Sequence, residues 1–238
     1  MTQALLIEIG VEELPAIPLL KIVSNIEKSW KNILEEYKLS CDFEFIYTPR
    51  RLVLKHAAMA VSQEDSSIEL FGPPMVAALK DGEPTKAAEG FARKCGVSFD
   101  ELGRGEKNGK EVLYFKKEEK GADTVTLLQE MLEKWLASMA FGKMMRWGSR
   151  TDEYIRPIRW LQVRMDDTSV PVELFGVHSD TKTYVHRMVT YDSVEVPTID
   201  AYEEILDECA VMLHPKERES KILTEFDALE GTHNIIIE

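Results

Sequence analysis

A strand pattern followed at once by a helix pattern is what most narrows the fold of this chain. The run ALLIEIG (4–10) is apolar and ends on Gly10, as a strand would. Beyond it, Leu19, Ile22, Val23, Ile26, Trp30, Ile33, Leu34 and Tyr37 recur at spacings of three and four. That draws a single apolar stripe and predicts an amphipathic helix. Prolines at 15 and 18 suit the entry of this helix, and Glu12 and Glu13 are expected at its N-terminus, where their charge opposes the helix dipole.

The rest of the chain continues to mix the two periods. FEFIY (43–47) and RLVLKHAAMAV (51–61) read as strands joined by a short turn, and FGPPM (71–75) reads as a rigid break. Pro84 and Thr85 open a short helix with Ala87, Ala88, Phe91, Ala92 and Cys95 on one face and Gly96 as its C-cap. Ser98 with Glu101 forms a capping-box pattern, and NGK at 108–110 is a hairpin turn leading into EVLYFK. Asp123 or Thr124 caps a long helix with Val125, Leu128, Met131, Leu132, Trp135, Leu136 and Met139 buried, ended by Phe141–Gly142. IRWLQVRM, VPVELFGV and KTYVHRMV look like three strands of one sheet, and two acidic helices are expected over 200–209 and 215–229. Without a regular βαβ alternation the fold class is α+β, with mixed or antiparallel sheets, packed helices and a helical C-terminal part. The expected division is an α+β region over 1–190, with a subdomain boundary near 75–120, and an acidic helical segment over 191–238. The apolar run HNIIIE is expected to be a strand or a packed segment continuing into further chain.

Composition bounds the class. Of 238 residues, 44% are hydrophobic and 30% charged, which fits an ordinary globular protein. LLIEIG is too short, and carries Glu8, to be a signal core or a membrane span. The three cysteines, Cys41, Cys95 and Cys209, form no CxxC, so free thiols in a reducing cytoplasm are expected. A net charge of -13 disfavours wholesale coating of nucleic acid but leaves room for a local basic site.

Such a site is visible in KMMRWGSRTDEYIRPIRW (143–160). Lys143, Arg146, Arg150, Arg156 and Arg159 lie among Trp147, Tyr154 and Trp160. Guanidinium forks grip phosphate oxygens, and aromatic faces stack on unpaired bases. The alternative is structural: both tryptophans as core anchors, with Arg156 and Arg159 paired to Asp152 and Glu153. Other chemistry is absent from the motifs. The chain has no P-loop, no GxGxxG and no GxSxG, and His56, His178, His186, His214 and His233 fall at no metal-ligand spacing. No catalytic residue and no metal site is assigned.

Six segments in order, EIGVEELP (8–15), TPRRLVL (48–54), FGPP (71–74), KAAEGFARKCG (86–96), KMMRWG (143–148) and IRPIRW (155–160), resemble the β subunit of the bacterial tetrameric glycyl-tRNA synthetase. The match runs from Leu6 to about Arg187, and this piece looks like the N-terminal part of a longer chain. One departure is Val185–His186–Arg187–Met188, where a Gly-His-Arg-Phe-like stretch is expected; valine lacks the backbone freedom of glycine.

The resemblance implies a glycine–tRNA ligase subunit that is itself non-catalytic here, with ATP and Mg used by the assembled enzyme through a separate catalytic α subunit. The implied partners are that α subunit, tRNA(Gly) and a second β subunit within an α2β2 assembly, with no membrane and a cytoplasmic location. Lys143, Arg146, Trp147, Arg150, Arg156, Arg159 and Trp160, together with Arg50 and Arg51, are the candidates for touching RNA or the partner chain. Two other readings stand beside this one: an editing-type hydrolase recruiting Thr48, Arg50 and His186 against mischarged tRNA, and a pure protein-interaction scaffold.

Overall fold

The computed structural model describes residues 1–80, 83–107, 109–233 and 235–236. Two compact units emerge: one from Met1–Ser62 with Ala122–Glu238, the other from Gln63–Gly121. Asn108 of the expected hairpin turn and Ile237 of the C-terminal run lie outside the described residues.

The first unit is built on β1 (Thr2–Val11), β2 (Glu44–Thr48), β3 (Arg51–Ala60), β7 (Ile158–Met165) and β8 (Thr168–Ser169), antiparallel in the order β8-β7-β1-β3-β2 among the described residues. Between β3 and β7 the chain runs through β4 to β6 of the second unit, given below. α1 (Ala16–Glu36) and α3 (Thr124–Ala137) cover one face. The period-2 rule sends Leu5, Ile7, Ile9 and Val11 to that face, where they meet Trp30, Leu34, Leu128, Leu132 and Trp135. The Trp30 and Trp135 rings meet edge to face, their centroids 5.5 Å apart. Both indole N–H groups are satisfied inside: Trp30 Nε1 donates to His56 Nε2 at 3.0 Å and Trp135 Nε1 to the Ile26 carbonyl at 3.0 Å.

The other face is covered as well, by residues 182–213. Leu6, Ile46 and Val53 pack there against Val185, Val196, Tyr202, Leu206 and Leu213. This layer is partly polar. Glu8 is fully buried and accepts from Arg51 Nη1 at 2.9 Å and from Thr183 Oγ1 at 2.8 Å. Arg164, 2% exposed, donates to the carbonyls of Val196, Pro197 and Asp167. These buried charges tie the C-terminal layer to the sheet, since each would be costly without its partner. α4 (Ala201–Glu208) and α5 (Pro215–His233) follow; among the described residues α5 buries none of its own side chains.

The second unit contains β4 (Ser66–Pro74), β5 (Gly103–Lys107) and β6 (Lys110–Glu119) in the order β4-β6-β5, with α2 (Lys86–Cys95) supplying Ala88, Phe91 and Cys95 to a small core. Gly96 ends α2 at φ +75°, as its sequence position predicts. Ser98 N donates to Glu101 Oε2 at 2.8 Å, but the capping box closes only a one-turn 3-10 helix.

Several expectations are corrected. FGPP is not a break: it is the end of β4, where the pairing with β6 slips between Phe71 and Pro74 and so accommodates prolines that cannot donate. Glu12 and Glu13 precede the helix, which starts at Ala16 and has no acid in its first turn. Instead Glu12 N donates to the Pro157 carbonyl and Leu14 N to that of Pro49, stitching this link to the sheet loops. Val125 is 42% exposed and lies off the buried stripe, and α3 ends at Ala137 rather than at Phe141–Gly142. Of the three expected strands only 158–165 joins the main sheet. The second run folds back on itself as Glu173–Leu174 with Val177–His178, because Phe175 and Gly176 turn at φ +53° and +79°. In the third, Lys182–Tyr184 pairs with Ser193–Glu195 across the covered face, the edge of β7 being taken by β8 at Arg164 and Met165 and by Val170, Ser179 and Asp180 at Val163 and Leu161.

Candidate functional site

The segment 143–160 does not form one patch. Met145–Arg146 pairs with Glu153–Tyr154 as a two-stranded ribbon, and Arg146 Nε lies 3.1 Å from Glu153 Oε1. Arg150 holds Asp152 through two nitrogens, Nε at 2.8 Å from Oδ1 and Nη2 at 2.9 Å from Oδ2. Lys143 is exposed. Trp147 is half-buried and donates Nε1 to the Tyr154 carbonyl at 2.9 Å. The arginines of this ribbon are therefore matched by their own neighbours' carboxylates, in exposed pairs worth little to stability.

The remaining candidates converge at the end of the sheet where β1, β3 and β7 meet the 182–191 segment. Gly10 and Trp160 face each other across β1 and β7. The indole lies so directly on Gly10 that a Cβ there would stand 1.8 Å from the ring, so only glycine fits. Trp160 is 5% exposed. Tyr184 packs beside it with ring centroids 5.1 Å apart, and the guanidinium carbons of Arg50 and Arg51 lie 5.9 and 5.5 Å from the ring centre. Arg51 is enclosed: it is 3% exposed and its guanidinium is engaged by Glu8, Thr183 and the Tyr184 carbonyl. It offers nothing to a partner directly.

Above this floor lies a cleft of two lobes, about 230 and 300 Å³, which share Arg50, Val185 and Arg187. Glu12, Arg159, Trp160, Tyr184 and Tyr191 line the first lobe. Thr48, Pro49, His186 and Arg218 line the second. Arg159 Nε sits 3.4 Å from Glu12 Oε1, and Arg156 Nε donates to the Glu13 carbonyl at 3.0 Å just outside. Arg50 is half-buried; burial, and then the charge of Arg187, hold its guanidinium below its ordinary pKa. Among the described residues no carboxylate forms an ion pair with Arg50 or Arg187. Arg218, lowered by burial, is anchored to the Met212, Leu213 and Tyr47 carbonyls. Arg50 and Arg187 thus line both lobes and repel each other, with Glu12 and Glu13 offsetting part of that repulsion from beyond ion-pair distance, and a bound anion would relieve the rest.

Sequence reasoning missed Arg187, Arg218, Tyr184 and Tyr191. Arg187 lies in the stretch singled out for its departure from Gly-His-Arg-Phe, but nothing local announced its meeting with Arg50. Val185 is not among the residues with positive φ; it is 3% exposed and packs into the covering layer, so this position needs no glycine. In the second lobe Thr48 Oγ1 accepts from Arg50 N at 3.2 Å and His186 Nδ1 from Met188 N at 3.2 Å. Thr48 and His186, two of the three groups named for hydrolysis, thus accept from the local backbone. Among the described residues no three of His, Cys, Asp or Glu gather as a metal site, and no helix is long and apolar enough to cross a membrane.

Residues 5–238 match the family model described as glycyl-tRNA synthetase beta subunit. The glycine--tRNA ligase beta subunit of Moorella thermoacetica is 39% identical over 231 residues, covering 96% of this chain and 33% of that protein. The beta subunit of Gloeothece citriformis is 36% identical, covering 91% and 31%, and that of Streptococcus uberis 34% identical, covering 100% and 35%. The chain spans about a third of the length of the curated relatives it matches. It belongs to the glycyl-tRNA synthetase beta subunit family.

Proposed function

We propose that this chain serves a glycine–tRNA ligase as a non-catalytic RNA-holding part, and that its contact with tRNA(Gly) is the two-lobed cleft around Arg50 and Arg187. One observation supports this reading above the others: Arg50 and Arg187 line one cleft over an aromatic floor and repel each other, and among the described residues no carboxylate is ion-paired to either, although Glu12 and Glu13 attract Arg50 from farther away. Phosphate oxygens supply the missing charge, and Tyr191, 79% exposed at the rim, offers a face for an unpaired base. Activation of glycine with ATP and Mg belongs to the companion α subunit in this reading, since no nucleotide-binding motif occurs in the chain. The α subunit, and a second β chain within an α2β2 assembly, complete the enzyme.

The test is tRNA(Gly) binding as a function of salt, with the chain and with the assembled ligase. Replacing Arg50 and Arg187 by alanine is expected to weaken binding and to lower the log–log salt slope by ~0.7 to 0.9 per lost phosphate contact. Replacing Arg146 and Arg150 leaves both nearly unchanged. Equal affinity and slope in a folded Arg50→Ala/Arg187→Ala protein remove RNA from the account of this cleft. Glycine-dependent ATP–pyrophosphate exchange by the chain alone would overturn its non-catalytic role.

A further inference from the structure

A cavity of about 690 Å³ lies away from the basic cleft, between the C-terminal turn of α3 and the 173–178 hairpin. Its floor is apolar: Leu136, Ala137, Met144, Leu174 and Phe175. Its rim is acidic, with Glu133, Glu153, Glu173 and Asp152 against Arg150 as the one basic lining group. Arg150 is taken by Asp152 and also attracts Glu173 at longer range, and Arg146 is taken by Glu153. Glu133 accepts from Gln129 Nε2 at 2.6 Å, and the same amide holds the backbone carbonyl of Glu173, leaving Glu133 and Glu173 without an ion-pair partner among the described residues. The end of α3 adds the negative pole of a helix dipole to the same space. An apolar floor asks for an apolar side chain, and the rim asks for a cation beside it.

We propose that this groove docks a protein segment that presents an arginine or lysine next to an aliphatic side chain, on a polypeptide other than this one. Charge complementarity selects the chemistry of that segment. RNA is excluded by the same carboxylates, because its phosphates would face acids rather than arginines. A membrane surface does not fit a concave groove with an acidic rim. The segment 143–160 is then a partition. Arg156, Arg159 and Trp160 belong to the side that meets RNA, while Met144, Asp152 and Glu153 belong to the side that meets protein. This inference stands on a different cavity from the proposed RNA site and does not depend on it.

Phe175 has a definite part in the groove. Its φ of +53° is rare for a bulky residue. The turn sets its ring 5.6 Å from Tyr154, and Arg150 lies across Gly176, where a Cβ would be 2.6 Å from Nη1. The hairpin thereby fixes one wall of the groove.

The probe is the peptide acetyl-Leu-Arg-Leu-Lys-Leu-amide, titrated into the ¹⁵N-labelled chain and followed by amide chemical shifts, with an all-glutamate analogue as control. Saturable shifts confined to residues around 133–144 and 173–176 are expected. Glu133→Gln/Glu173→Gln should weaken the peptide at least fivefold, and Ala137→Trp, which fills the floor with every carboxylate intact, should weaken it as much. An RNA oligonucleotide should leave these amides unmoved. Shifts spread over the acidic α5, or equal peptide affinity in both variants when their melting curves match the parent, would overturn the proposal. So would RNA-induced shifts centred on the groove.

Discussion

Gly10 lacks a side chain because the Trp160 ring occupies the space one would take. Gly10→Ala must therefore push a large buried indole aside. It is expected to cost about 1–3 kcal/mol as overpacking, read from urea unfolding, and to weaken tRNA binding because the cleft floor moves with the ring. His56 carries a second residue-scale consequence. Its Nε2 accepts from Trp30, so that nitrogen is unprotonated, and burial pushes the imidazole down from 6.5 to about 4. Between these values the unfolded chain binds a proton that the folded one refuses. Stability is full above pH 6.5, falls as pH drops toward about 4 and levels off below it, a loss of roughly 3 kcal/mol. Chemical denaturation across pH 4 to 7 is expected to show this slope, and His56→Gln, which keeps an acceptor for Trp30, is expected to flatten it. Neither effect is legible in the sequence, where Gly10 reads as a strand end and His56 as one of five scattered histidines.

At the scale of elements, legibility followed how one-sided each pattern is. β1, α1 and α3 each present one uninterrupted apolar face, and each forms where its period places it. The runs after Val170 alternate just as well, but alternation does not say which sheet edge is still open. The edge of β7 was already occupied by a two-residue neighbour and by the backbone at 170 and 179–180, and the Phe175–Gly176 turn has a bulky residue where asparagine or glycine would have announced it. α5 is the opposite case: a regular helix whose side chains stay at the surface, with Ile222, Leu223, Phe226 and Leu229 each 41–55% exposed. Packing contributes little to it, and in proteins most of a helix's stability comes from such packing rather than from propensity. Amide exchange is expected to be orders of magnitude faster across 219–233 than across α1 or α3. Only the first turn, held by Arg218 to the carbonyls of Met212, Leu213 and Tyr47, should resist, and Arg218→Ala should release it.

Across the whole molecule, most of the buried apolar side chains among the described residues fall into three clusters. The residues packed around Trp30 and Trp135 and those around Tyr202 belong to the first unit, while the cluster around Phe91 belongs to the second. Ser62 and Asp123 form a β-bridge, so the first unit closes on itself where residues 63–121 leave and return. Replacing 63–121 by a short Gly–Ser link is expected to give a folded protein with a cooperative melt and with the Arg50–Arg187 cleft retained, checked by calorimetry and tRNA titration. Loss of cooperative melting would show that the units need each other. The family was readable from six ordered segments, and α+β from the mixed periods. The site was readable only in part, because proximity along 143–160 is not proximity in space. Strand pairing gives Arg146 to Glu153, whereas Arg159 and Trp160 ride β7 to the cleft and meet Arg50 and Arg187 from distant loops.

Trp160 also makes the cleft observable without a label. Of the four tryptophans, Trp30 and Trp135 are sealed in the apolar core and Trp147 belongs to the ribbon. Trp160 alone among them lies in the cleft, under Arg50 and beside Tyr184. Its emission is the part of the intrinsic fluorescence tied to what enters there. With the other three tryptophans replaced by phenylalanine one at a time, the change on adding tRNA should survive every replacement and disappear only when Trp160 itself is changed, so the molecule carries its own optical gauge of occupancy.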